Sequence, residues 1–233
     1  ADRLMRDVIV RAHDCVVWGG KRRGSSYARR YCDRLVRTFH KDHPEHGYAV
    51  TEAVVHNLAK VMLIKDEPYV ASLLTSPEKY RRDAERFKVD RSRGDRVRYR
   101  HHNRPEFDLF GQKIRFNWKS TDWQLQLMAQ CRWLRDVLPK WHERERDFRD
   151  WYERLVDEWD RTGAARDYTR WQRVFATPAT VTGYREVRYP KMYAARRSVR
   201  ELLAAPVTTF DGPGDPRVVE KADRIELPML STG

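Results

Sequence analysis

The chain has 233 residues, 35% of them charged and 40% apolar, with a formal net charge of +13 and a pI near 9.9. That length suits one large domain or two small ones with a true core, and 8 Trp, 11 Tyr and 8 Phe exclude a disordered polyelectrolyte. There is no run of 18 apolar residues to predict a membrane-spanning helix. Cys15, Cys32 and Cys131 form no Cys-x-x-Cys pair. Their spacing predicts reduced thiols in a cytoplasmic protein, without a thiolate zinc or iron–sulfur site.

The first predicted helix spans residues 3–18, with Leu4, Met5, Val8, Ile9, Ala12, Cys15 and Val16 at i, i+3, i+4. Its charges interrupt every apolar stretch, unlike the centre of a signal peptide. GGKRRGSS, Gly19 to Ser26, predicts a break. A second helix follows from about Tyr27 to Phe39, with Tyr27, Tyr31, Leu35 and Phe39 four apart. After a loop from Asp42 to Gly47, a third runs from about Ala49 to Ile64. Asp66 is placed to cap a fourth helix with Pro68 in its first turn. Ser76-Pro77-Glu78 opens a short charged helix to Phe87.

Helical periodicity vanishes over residues 88–118. RVRYRH alternates, and FDLFGQKIRFNW gives two short runs around Gly111, which predicts β-hairpins. From Thr121 the stripe Trp123, Leu127, Met128, Cys131, Leu134 and Leu138 predicts a helix with that stripe inward, interrupted at Pro139. Trp141, Phe148, Tyr152, Leu155, Val156 and Trp159 continue the pattern. Shorter helices follow over Tyr168–Phe175 and Glu186–Ala204, the latter containing Pro190. The composition after Pro206 predicts an extended tail.

Net positive charge favours an anionic partner. Yet the arginines alternate with acids at helical spacing in HERERDFRDWYERLVDEWDR, a pattern of salt-bridged solvated faces. Lys21, Arg22 and Arg23 in the glycine-containing segment are candidate anion or partner contacts, although no phosphate-loop pattern is present. His40, His43 and His46 are a weak candidate metal set, with Pro44 breaking the helix that would align them. His101 and His102 would face opposite ways on a strand. RVRYRHHNR mixes cations with an aromatic ring, as single-strand nucleic-acid platforms do. No Gly-x-Ser-x-Gly, His-Glu-x-x-His or Gly-x-Gly-x-x-Gly motif occurs, nor a thiamine diphosphate signature.

Residues Ala49 to Thr75, AVTEAVVHNLAKVMLIKDEPYVASLLT, place Lys65-Asp66-Glu67 and Pro68 against a strongly apolar run. This stretch resembles a segment in the C-terminal part of indolepyruvate ferredoxin oxidoreductase-type proteins, a branch of the 2-oxoacid:ferredoxin oxidoreductases. Ala53, Val54, Asn57, Leu58, Lys60, Met62, Lys65, Asp66, Glu67, Val70, Ala71, Leu73 and Thr75 match that run. SSYARRYCDRLVRTF, HERERDFRDWYERLVDEW and VTGYREVRYPKMYAARRSV are similar to further segments in the same order. Pro68, Tyr69 and Tyr189-Pro190-Lys191 depart from the family pattern. The resemblance implies a helical accessory domain packed against catalytic domains or subunits. Thiamine diphosphate, iron–sulfur clusters and coenzyme A would sit in those partners, with ferredoxin as a further partner, and no cofactor is expected in this chain.

The expected architecture is therefore mainly α: a helical bundle-like domain over residues 1–205 with a small β-hairpin insertion at about 95–118, and a tail over 206–233. Lys65, Asp66 and Glu67 read best as the corner between two helices, with Asp66 and Glu67 at a helix N-terminus where the dipole favours them and Lys65 ending the preceding helix. A contact to a partner domain or an anion is the functional alternative for the triplet. The alternative for the whole chain is a basic helical nucleic-acid-binding module.

Overall fold

The computed structural model describes residues 2–103, 106–109, 112–115, 118–138, 140–162 and 168–204. The fold is mainly helical. In chain order come α1 (Asp2–Lys41), α2 (Ala49–Met62), α3 (Glu67–Leu74), α4 (Pro77–Arg86), β1 (His101–Asn103), β2 (Glu106–Leu109), β3 (Gln112–Arg115), β4 (Trp118–Ser120), α5 (Asp122–Gln130), α6 (Leu134–Val137), α7 (Glu143–Thr162), α8 (Tyr168–Ala176) and α9 (Arg188–Ala204). The segment expected as a tail, 206–233, lies outside the described residues.

The predicted break at GGKRRGSS is a kink rather than a loop. Gly20 alone leaves helical geometry, at φ 68° and ψ −166°, and the helix resumes at once. A Cβ on Gly20 would sit 2.7 Å from the Arg132 side chain, and one on Gly24 only 2.5 Å from the Val16 carbonyl oxygen. The two halves of α1 therefore cross at a distance that only hydrogen side chains permit.

Helix α2 is the centre of the molecule, packed against α1, α7 and α8. Val50, Val54, Val55, Leu58, Val61 and Met62 are all buried. Around them close Cys15, Tyr31 and Leu35 of α1, Phe148, Tyr152 and Val156 of α7, Val174 and Phe175 of α8, and Met192, Ala195 and Val199 of α9. Each fully buried aliphatic or aromatic side chain contributes about 1.5–3 kcal/mol. Aromatic hydroxyls and an indole from α1 donate to carbonyls of α2 and of the connection that follows it. Tyr27 Oη donates to the Met62 carbonyl at 2.7 Å, Tyr31 Oη to Val55 at 2.9 Å, and Trp18 Nε1 to Ile64 at 2.9 Å.

A second, smaller apolar cluster joins α3 to α5 through Ala71, Leu125 and Ala129. The inward stripe expected for this segment holds in part: Met128 packs against the cluster and Cys131 and Leu134 are half-buried. Leu125 and Ala129 face in, whereas Trp123, Leu127 and Leu138 are exposed. Similarly, Met5, Ile9 and Val16 of α1 are exposed although their spacing matched that of Cys15. The inward stripe of α7 holds: Phe148, Tyr152, Leu155, Val156 and Trp159 are buried.

The β insertion is one long hairpin in two ladders. Strand β1 pairs antiparallel with β4 (His101 opposite Ser120), and β2 with β3 (Phe107 opposite Ile114). The strands start at His101, later than the expected 95. Gly111, expected at the turn, lies outside the described residues, as does Pro139. Pro190 does not interrupt α9. It sits in the first turn, where no intrahelical N–H bond is lost.

Candidate functional site

The Lys65-Asp66-Glu67 triplet joins α2 to α3. Helix α2 ends at Met62, so Lys65 lies in the connection rather than closing the helix, and its side chain is exposed. Asp66 is the N-cap expected from sequence. Its carboxylate accepts the Tyr69 backbone N–H at 3.0 Å, and Pro68 stands in the first turn.

Asp66 is only 2% exposed, and its second role was not visible in the sequence. Arg135, from α6, bonds both carboxylate oxygens, Nε to Oδ2 at 2.7 Å and Nη2 to Oδ1 at 2.8 Å. The same guanidinium donates to the Trp18 carbonyl at 2.6 Å and lies over the Trp18 ring, 3.7 Å from its centroid. Arg132 donates to the Val17 carbonyl at 3.1 Å. The last carbonyls before the α1 kink, the α3 cap and α6 are thus tied together by two arginines.

Glu67 points into a different cluster. Its Oε2 is 3.2 Å from His142 Nε2, and its Oε1 accepts from Arg185 at 2.9 Å. His142 Nδ1 lies 3.4 Å from Glu145 Oε1, so both ring nitrogens face carboxylates. Burial disfavours the charged ring, but bonds to Glu145 and Glu67 outweigh it and lift its pKa from 6.5 to about 9. Burial likewise works against ionised Glu67 and Glu145, but the His142 bonds pull both below the usual carboxylate value. His142 sits at a left-handed φ of 54° and its side chain is 6% exposed. An imidazolium with both N–H groups bonded has no lone pair to act as a base, and this convergence of histidine and carboxylates works as a lock. The triplet also lies away from a groove of about 510 Å³ lined by His13, Ser72, Thr75 and Gln126, and from a cleft of about 50 Å³ beside Tyr189 and Tyr193.

The other candidates do not converge on the triplet. Lys21, Arg22 and Arg23 are exposed just past the kink, and Arg23 pairs with Asp136 at 2.6 Å on the surface. Among the histidines, His46 stacks on Tyr168 at 4.1 Å, His43 lies 3.5 Å from Glu45, and His40 sits exposed in the last turn of α1. No group of three His, Cys, Asp or Glu side chains able to hold a metal ion occurs among the described residues. His101 bonds Asp122 at 2.8 Å. Cys15, Cys32 and Cys131 are free thiols, and burial pushes Cys15 up to about 12. Arg104 lies outside the described residues.

Large apolar side chains are exposed on several elements, Met5 and Ile9 of α1 and Phe87 after α4 among them, and four fall close together in sequence. Trp123, Leu127, Trp133 and Val137 of α5, α6 and their junction are 64%, 57%, 58% and 57% exposed. They form two i,i+4 pairs, each setting two large apolar side chains outward. Such pairs mark contact surfaces more often than the scattered single apolar residues normal on a monomer. Among the described residues no helix is long and apolar enough to cross a membrane.

Residues 8–201 match the family of unknown function DUF6537, and because this span is most of the chain, the chain belongs to that family. No curated protein and no solved structure matches it.

Proposed function

We propose that this member of the DUF6537 family is a non-catalytic docking domain of an indolepyruvate-type 2-oxoacid:ferredoxin oxidoreductase, working in the cytoplasm. The observation that carries the reading is the exposure of Trp123, Leu127, Trp133 and Val137 over a short stretch of α5 and α6. It is supported by the Lys-Asp-Glu corner, whose two carboxylates are spent on Arg135, His142 and Arg185 and have no capacity left for acid–base work. The partner comes from the resemblance of Ala49–Thr75 to that enzyme family. Thiamine diphosphate, iron–sulfur clusters and coenzyme A would be held by the catalytic domains, and ferredoxin is an acidic candidate for the basic surface.

Co-expression with the catalytic domains of an indolepyruvate-type oxidoreductase, followed by size-exclusion chromatography, tests this. Co-elution that Leu127→Asp abolishes is expected. Separate elution at low salt overturns the reading.

A second reading, a nucleic-acid-binding module, draws on the wholly exposed stretch 91–98, which carries Arg91, Arg93, Arg96 and Arg98. Affinity for single-stranded oligonucleotides falling steeply with salt would favour it.

A further inference from the structure

The end of α2, the loop 177–187 and the start of α9 pack together, and Lys60, Arg188 and Lys191 stand on these elements with Lys65 just beyond α2. Lys60 is on the last turn of α2 and reaches the loop, its Nζ donating to the Ala179 carbonyl at 2.7 Å. Lys191, in the first turns of α9, reaches back to the same loop, its Nζ donating to Thr182 Oγ1 at 2.6 Å. Arg188 opens α9, and its Nε is sealed from solvent with no acceptor among the described residues. Lys65 follows α2 on the exposed side.

None of the three lysines has a carboxylate at ion-pair distance among the described residues. The first turn of α9 also carries no acid. Glu67 and Glu145 are held by His142 and Arg185, and Glu186 is the acid carried by the loop itself. Burial, then the charges of Arg188, Lys65 and Lys191, lower the Lys60 pKa. Folding therefore holds like charges together at a cost, and two of them are fixed by neutral oxygens from one loop. Gly183 turns that loop at φ 92°, a conformation a Cβ would strain and where it would lie 2.7 Å from Val187.

We propose that Lys60, Lys65, Arg188 and Lys191 form a binding site for the phosphate groups of a small phosphorylated ligand. A tetrahedral anion takes several N–H donors at once, and two adjacent phosphates would compensate the mutual repulsion of the three lysines and Arg188. This site is independent of the docking reading and is tested without a partner.

The experiment uses the 233-residue chain and inorganic diphosphate. At constant ionic strength, diphosphate raises the melting temperature where chloride does not. Lysine acylation mapped by mass spectrometry shows Lys60, Lys65 and Lys191 protected at least fivefold, with Lys21 unchanged. Lys60→Met and Lys191→Met each weaken diphosphate binding about tenfold, Lys60→Arg retains it, and Arg22→Ala changes it less than twofold. Acylation of Lys60 unaffected by diphosphate in the unaltered chain overturns the proposal. So does a loss on Arg22→Ala equal to that on Lys60→Met, which would mean general charge. Binding of single-stranded oligonucleotide that diphosphate fails to displace from Lys60 and Lys191 also overturns it, in favour of a polymeric backbone.

Discussion

Arg135 grips Asp66 in a two-bond fork across 69 residues of chain while lying on the face of Trp18. The pair is nearly sealed from solvent, with side chains 13% and 3% exposed. It fixes α6 to the α2–α3 corner and to the α1 kink together. A buried pair of this geometry is close to neutral as a unit, but stranding one partner is costly.

Asp66→Ala should therefore destabilise the fold by about 3–5 kcal/mol, mostly from the orphaned Arg135, with about 1 kcal/mol from the lost cap included. Arg135→Met added to Asp66→Ala should recover part of that loss. Urea denaturation of both single variants and the double variant gives the coupling energy. A loss below about 1 kcal/mol for Asp66→Ala would remove the structural account of the triplet.

The His142 cluster sets a pH dependence with a definite sign. The folded-state pKa of about 9 lies above the ordinary 6.5, so protonation favours the fold. Its contribution, on the order of 3 kcal/mol, is fully present below pH 6.5, fades as pH rises from there and is gone above about 9. Glu67 and Glu145 have lowered values, so their contribution is present above pH 4.5 and is lost as pH falls through the acid range. Stability should be greatest between these limits. His142→Gln should flatten the decline between pH 7 and 9 in melting experiments. An unchanged slope would mean that His142 is not charged in the fold.

The sequence made the capping devices legible because caps are local. Asp66 and Ser76 lie three residues from the N–H groups they satisfy, and the Thr121–Gln124 box, equally local, went unread. It also made α7 legible, since a long helix against a central neighbour shows its full period. The partners of the triplet were hidden for the opposite reason. Arg135, His142 and Arg185 lie 69, 75 and 118 residues from their carboxylates, and no local pattern encodes such pairings. Helix α5 was partly misread because both its faces are apolar. Periodicity locates a stripe but cannot tell a core face from a face held for a partner. Lys60 and Lys191 lie far apart in sequence, and only the packing of α2 and α9 brings both to one loop.

The arginine ladder between α1 and α7 separates buried from exposed pairing. Glu153, 3% exposed at its side chain, receives Arg30 and Arg34, while Asp157 pairs with Arg34 at 2.9 Å and with the half-exposed Arg37 at 3.0 Å. Glu153→Ala should cost about 1–3 kcal/mol, since it removes the buried acceptor that Arg30 and Arg34 share while leaving them Asp150 and Asp157. Arg37→Ala should cost about 0–1 kcal/mol and be masked by salt. Denaturation at 0.05 M and 0.5 M salt distinguishes the two, and equal losses would mean the ladder is solvated throughout.

The glycines divide by what surrounds them. Gly24→Ala would drive a Cβ into the Val16 backbone and should cost about 2–3 kcal/mol. Gly47 has φ 62° but nothing within 4 Å of a Cβ, so Gly47→Ala should cost only the left-handed penalty of about 1–2 kcal/mol. Thermal melts of the two variants check the order. A reversed order would remove the close crossing of the α1 halves.

The outward pairs on α5 and α6 give a prediction in which stability and association part company. Trp123 and Leu127 are mostly solvated, so charging them removes little buried area and relieves an apolar surface. Trp123→Lys with Leu127→Lys should leave stability within about 0.5 kcal/mol and improve solubility at high concentration. Leu125→Lys, two residues away on the buried face, should unfold the α3–α5 cluster, because a lysine cannot keep its charge solvated there. In the co-elution experiment with the catalytic domains, the double lysine variant should dissociate while remaining folded by circular dichroism. If it co-elutes as the unaltered chain does, these residues are not the docking surface. If it unfolds, Trp123 and Leu127 belong to the core after all and the assignment of the two faces is reversed.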